Sequence, residues 1–216
     1  MMLRQCLSIA APLLLVTNIA SAQLETPCVP NSPERHGELG CSIVETKLLP
    51  TSLAKSLYWH IDLFDTGERT RAAVTPTSIA VEAHGAWWLL SVEPDTSDHH
   101  GGEHVTEILL PALPKAKQYS MVAISAYVAS GLMSRIHTHS GVEGFYVVDG
   151  EQCLEQTSRA DTMRKGDVLA VPGGVPMRLV AIGADPRRAL AVIVHDASKP
   201  PTTRMEDHPP KLVPCT

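Results

Sequence analysis

The apolar runs of this chain are short, and most of them are closed within a few residues by glycine, proline or aspartate. No other feature constrains the fold as much, because short bounded runs build β-strands and not helices of useful length. Strands are expected at 57–63, 78–83, 87–92, 105–110, 119–128, 134–139, 145–148, 152–156, 168–171, 177–181 and 189–195. Only 66–74 (TGERTRAAV) reads as a helix, and Pro76 stops it. Ala83-His84-Gly85 and Asp149-Gly150 read as hairpin turns. So many short strands predict an all-β fold, a sandwich or a barrel. The Pro-rich stretch 26–33 and the terminal HPPKLVPCT, where Pro209 and Pro210 bar regular structure, read as extended arms.

The first 22 residues, MMLRQCLSIAAPLLLVTNIASA, have the build of an export signal. They carry one cation (Arg4), a short apolar run broken by Pro12, and an Ala20-Ser21-Ala22 cleavage pattern. Cleavage before Gln23 is expected, leaving a secreted or periplasmic chain with no membrane attachment. The segment removes one of the 18 basic residues and none of the 23 acidic ones, so the mature chain is one unit more negative than the −5 of the whole. A mildly acidic chain without a basic run offers no field for nucleic acid. Cys28, Cys41, Cys153 and Cys215 survive cleavage, and an oxidising compartment allows one or two disulfides among three pairings. Cys28 and Cys215 lie near the two ends of the mature chain, which suggests pinned termini. Cys153, inside an expected strand, reads equally as a buried thiol.

The segment GLMSRIHTHSGVEGFYVVDG, 131–150, carries the chemistry. Residues two apart in a strand share a face, so Arg135, His137 and His139 project together. Ser140-Gly141-Val142 lets the chain bend and bring Glu143 beside the imidazoles, with Phe145 and Val147 continuing on its face. Two imidazoles and one carboxylate form a facial triad, which suits a divalent transition ion and leaves coordination positions open.

The spacing from Gly131 through His137-x-His139 and Glu143 to Gly150 resembles the first motif of the cupin superfamily. Gly166 and Pro172-Gly173-Gly174 resemble the second, whose closing histidine is here Met177. The resemblance implies a cupin-type antiparallel β-barrel, a jelly roll, with an N-terminal β extension. Its parts would be a signal peptide over 1–22, extra strands or a degenerate cupin half over 23–118, the barrel over 119–200 and a C-terminal arm over 201–216. It further implies a germin-like site in which His137, His139 and Glu143 bind a divalent transition metal. Iron or manganese is favoured, with copper, nickel or zinc as alternatives. Three readings of Met177 stay open: a three-ligand centre with water or substrate in the fourth place, an axial thioether to copper, or a barrel that binds a small organic ligand with little or no metal.

Other residues are weaker candidates. Arg135 could pair with a substrate carboxylate, although a strand-end arginine reaching into water is the plainer reading. Tyr127 could supply a proton, and His195 could stand in for the missing histidine; packing is the simpler role for each. Gln152 and Glu155 read as a solvated strand edge before they read as supports of the site. The loop DTSDHHGGEH, with His99, His100 and His104, reads as a mobile surface loop and not as a metal trap. Ser52-x-x-Lys55 matches a nucleophile pattern but lacks its Lys-Thr-Gly companion. The expected function is an exported, metal-binding cupin, an oxygenase on a small organic substrate. The alternative is a non-catalytic small-molecule-binding or structural cupin. The resemblance also implies a homodimer paired through strand edges.

Overall fold

The computed structural model describes residues 29–30, 40–94 and 99–215. The expected signal peptide, Cys28, and Asp95 and Asp98 of the histidine-rich loop lie outside the described residues. The elements are β1 (Val29–Pro30), β2 (Gly40–Leu48), β3 (Tyr58–Phe64), α1 (Gly67–Ala72), β4 (Ser78–Ala83), β5 (Ala86–Glu93), β6 (Glu103–Leu109), β7 (Tyr119–Val128), β8 (His137–His139), β9 (Gly141–Asp149), β10 (Glu151–Gln156), β11 (Ala160–Arg164), β12 (Val168–Val171), β13 (Met177–Ile182), β14 (Arg187–Asp196) and β15 (Thr202–Arg204). The all-β fold expected from the short apolar runs is what forms.

Three sheets result, ordered β1-β2-β7-β14-β9-β12, β11-β10-β13-β8-β15 and β4-β5-β3-β6. Strand alternation explains how they stack. On the six-stranded sheet Val122, Ile124, Phe145, Val147, Ala191 and Ile193 turn one way, joining Leu154 and Met163 of the five-stranded sheet in one apolar cluster. Their neighbours Met121, Ala123, Tyr146, Leu190, Val192 and Val194 turn the other way, onto Trp59, Ile61 and Ile79 of the four-stranded sheet. A strand buried on both faces must be apolar at successive positions, and MVAIS of β7 and ALAVIV of β14 have that character. The first two sheets form a barrel, and the third covers its outer wall.

Gly144 shows how close that covering is. A Cβ there would stand 2.6 Å from the Trp59 ring. Gly144→Ala is expected to lower stability by roughly 1–3 kcal/mol, as overpacking does, measured as a fall in the urea midpoint at unchanged slope.

Several expectations need correction. The helix keeps only Gly67–Ala72, with the Thr66 hydroxyl accepting from Arg69 N–H at its start. His84 and Gly85, both at positive φ, make the expected hairpin between β4 and β5. Asp149-Gly150 does not: β9 and β10 belong to different sheets, so the turn is a corner of the barrel. Gly150 is needed there at φ 74°, with a Cβ position only 2.7 Å from the Pro186 carbonyl oxygen. The strand expected at 134–139 shrinks to His137–His139. The barrel also draws on both flanks, since β2 pairs with β7 and β15 pairs with β8.

Cys215 is bonded to Cys153, not to Cys28, so the carboxyl-terminal segment is fastened to β10. Cys41 is also in a disulfide. Among the described residues no helix is long and apolar enough to cross a membrane.

Candidate metal centre

The site is built on β8, a three-residue strand held on both edges. Its His137 pairs in register with Met177 of β13 and with Arg204 of β15, and His139 pairs with Thr202. These flanks orient the rings as well as the backbone. His137 Nδ1–H donates to the Arg135 carbonyl at 2.8 Å, and His139 Nδ1–H donates to the Pro201 carbonyl at 3.1 Å, with the Thr202 hydroxyl also at 3.1 Å. An imidazole whose Nδ1 carries the proton presents an Nε2 lone pair, the form that binds a metal.

Gly141 sets the bend that brings in Glu143. A Cβ there would lie 1.9 Å from the Val194 carbonyl oxygen, so only glycine lets β9 run this close to β14. Glu143 then returns toward the histidines. The ligand atoms of His137, His139 and Glu143 lie within 4.8 Å of one another, the one such group among the described residues.

His139 Nε2 and Glu143 Oε2 are 2.7 Å apart, with both side chains about 95% buried. Yet neither atom has a partner in hydrogen-bonding geometry. Buried polar atoms left this way are costly, and two such atoms converging at 2.7 Å fit ligands around a common cation. The set fits a divalent transition ion.

Charge in the site agrees. Burial and the neighbouring His139 hold His137 below the usual imidazole range, against the pull of Glu143. Burial acts on His139 in the same direction, but the Glu143 charge, its contact and the Pro201 carbonyl together outweigh it and hold His139 above that range. Without an ion, then, Glu143 favours the protonated form of His139. An incoming metal must displace that proton, so affinity rises with pH and weakens as pH falls through a value above the 6.5 of a free imidazole. A fall of about tenfold per pH unit is expected there, one proton per ion, measured by competition with a chromophoric chelator.

The triad opens on a cavity of about 310 Å³ inside the barrel, walled by Val122, Ile124, Phe145, Leu179 and Ile193 among others. Three arginines, Arg135, Arg187 and Arg204, also line it, against the single carboxylate of Glu143. Arg135 is exposed at the cavity and uses its backbone carbonyl to hold His137. Met177 is fully buried in the apolar cluster and is not among the cavity-lining residues. Tyr127 is not either; the Arg188 guanidinium lies 5.3 Å over its ring. His195 is buried, bonds the Asp196 carbonyl through Nδ1 and stays outside the ligand group.

Gln152 and Glu155 are buried, not solvated. Gln152 accepts from Arg187, while Glu155 binds Arg178 and accepts the Cys215 N–H at 3.0 Å. Two residues of the histidine-rich segment are paired: His100 with Glu93 at 2.9 Å and His104 with Asp62 at 3.0 Å. Pro201, Thr202 and Arg187 were invisible as site residues. The alternation of Arg187 with Ala189, Ala191 and Ile193 on one face of β14 was the available signal.

A family profile described as Cupin matches residues 91–205. No curated protein matches the chain. Among solved structures, the DMSP lyase DddQ from Ruegeria pomeroyi DSS-3 is 20% identical, covering 39% of this chain and 42% of its own, with a TM-score of 0.35. Oxalate decarboxylase from Bacillus subtilis is 19% identical over 40% of this chain and 24% of its own, with a TM-score of 0.34. A cupin-like protein from Thermotoga maritima is 17% identical over 40% of this chain and 64% of its own, with a TM-score of 0.35. The chain thus spans less than two thirds of the length of each.

Proposed function

The chain belongs to the cupin family, and from that premise we propose that it is an exported, metal-dependent enzyme acting on a small organic molecule, with an oxygenase as the favoured class. The observation that carries this reading is the buried pair of His139 Nε2 and Glu143 Oε2, both without a hydrogen-bond partner, at the wall of an apolar cavity. A two-histidine, one-carboxylate face is the donor set of iron oxygenases.

His137, His139 and Glu143 would hold the ion. Bound there, iron or manganese supplies Lewis acidity and open positions for substrate or dioxygen. The rest is work of the chain. The Arg135 and Pro201 carbonyls fix the two rings. Glu143 offsets the charge of the ion, and the apolar walls limit water around the reacting group. Met177 is a packing residue in this reading, and the centre has three protein ligands. Export is supported by the signal-like segment 1–22 and by the Cys153–Cys215 disulfide, a bond kept in oxidising compartments.

Metal analysis of protein taken from its native compartment tests the reading. About one equivalent of iron or manganese, unchanged in Met177→Leu, supports it. Stoichiometric copper whose absorption spectrum changes in Met177→Leu would restore the thioether as a ligand. Less than about a tenth of an equivalent of any transition metal, with His137→Ala leaving small-molecule binding intact, would make the protein a non-catalytic binder.

A further inference from the structure

Arg187 occupies an unusual place. It opens β14 on the cavity face, buried to 5% exposure, where an apolar residue would be ordinary. One terminal guanidinium nitrogen donates to the Gln152 side-chain carbonyl, and Gln152 is itself fully buried and held by its amide N–H on the Met163 sulfur at 3.0 Å. Nε has no partner among the described residues. No carboxylate there lies within ion-pairing distance of Arg187, although the charge of Glu143 reaches it. Burial draws the guanidinium down to about 10, with Glu143 opposing, so it stays a cation at neutral pH.

A buried charge with a neutral partner and an idle donor costs several kcal/mol, and replacing it with an apolar side chain is often stabilising. The cost is explained if the missing partner is a ligand. Val128, the register partner of Arg187, clusters with Ala181 and Leu132, and all three line the cavity. A planar fork of N–H donors in such a setting matches a carboxylate, and a dry pair is far stronger than an exposed one. Arg135, exposed to water, offers the weaker kind.

We propose that Arg187, oriented by Gln152, is the anion-binding residue of the cavity, and that the protein takes a small organic acid. Its carboxylate sits against Arg187, its apolar body lies along Val122, Ile124, Phe145 and Ile193, and its other end faces His137, His139 and Glu143. Ile193 is the register partner of Glu143, and Arg187 lies six residues before it on the same face of β14, so the anion site and the triad are separated along one cavity wall. The substrate class rests on the proposed enzymatic reading; the anion site itself does not.

The test uses hexanoate and its neutral isostere hexanamide as probes, titrated by calorimetry into the full chain, metal-free and manganese-loaded. Preference for hexanoate by about tenfold or more is expected in both forms, since the site is built from Arg187 and not from the ion. Arg187→Met should bring the two probes within about twofold while the protein keeps its thermal midpoint, because the change removes a buried unpaired charge. Arg135→Ala and Arg204→Ala should leave the preference in place. Equal binding of both probes by the wild type, or a preference that survives Arg187→Met and is lost in Arg135→Ala, would overturn the proposal. Preference in a protein that takes up no metal would leave the anion site standing and remove the enzymatic reading alone.

Discussion

His139→Ala is expected to lower metal uptake from about one transition-metal ion per chain, the value proposed for the wild type, to less than about a tenth under the same loading conditions. The size of this effect follows from the ligand count. Tight protein sites bind with about 10–16 kcal/mol spread over three or four ligands, so losing one removes roughly 4 kcal/mol, about a thousandfold in affinity. His139 is the residue to replace, because it is the better buried of the two imidazoles and is held from behind by Pro201 and Thr202. Its loss also leaves Glu143 buried without the imidazole beside it, so the vacated site cannot simply re-form around water. Met177→Leu, at the histidine position of the second motif, is expected to change uptake by less than about threefold and stability by less than about 1.5 kcal/mol, the cost of a volume-conserving core exchange. Equilibrium dialysis with manganese or iron, read beside circular dichroism, separates lost ligation from lost folding.

Breaking the Cys153–Cys215 bond has the largest expected effect on stability. The two residues are 62 apart in sequence, and closing a loop of that length restricts the unfolded chain by roughly 4 kcal/mol in the chain-entropy account. That is a large share of the about 5–15 kcal/mol that holds a domain together. The segment it fastens is also tied by β15, the Met205 N–H to the Ile136 carbonyl at 2.9 Å, the Val213 N–H to the Gln156 carbonyl at 2.8 Å, and the Cys215 N–H to Glu155. The same segment supplies the Pro201 carbonyl that holds His139, so loosening it reaches the metal site. The double variant Cys153→Ser/Cys215→Ser should lose roughly 2–5 kcal/mol in urea unfolding and about tenfold or more in metal affinity. Loss of under about 1 kcal/mol would mean that the segment is held by its packing alone.

The strands and the triad were legible because both depend on local periodicity. His137, His139 and Glu143 stand at spacings that alternation and one bend bring together, and the structure does bring them together. What stayed hidden depends on partners far along the chain. The PTTR segment after Lys199-Pro200 looks like a loop and becomes β15 only because β8 offers an open edge. Gln152 and Glu155 look like polar edge residues until Arg187 and the terminal segment, both distant in sequence, cover them. Arg187 follows Asp185-Pro186, which reads as a turn, and only the pairing of β14 with β7 and β9 carries it into the barrel. β7 and β14 were legible as strands, but that both their faces are covered, and by which strands, shows only in the fold.

X-ray absorption of the iron- or manganese-loaded protein tests the three-ligand centre most directly. A first shell of nitrogen and oxygen only is expected, with the multiple-scattering signature of two imidazoles that falls to one in His137→Ala. A sulfur scatterer at about 2.3 Å, or a spectrum unaltered by His137→Ala, would contradict it.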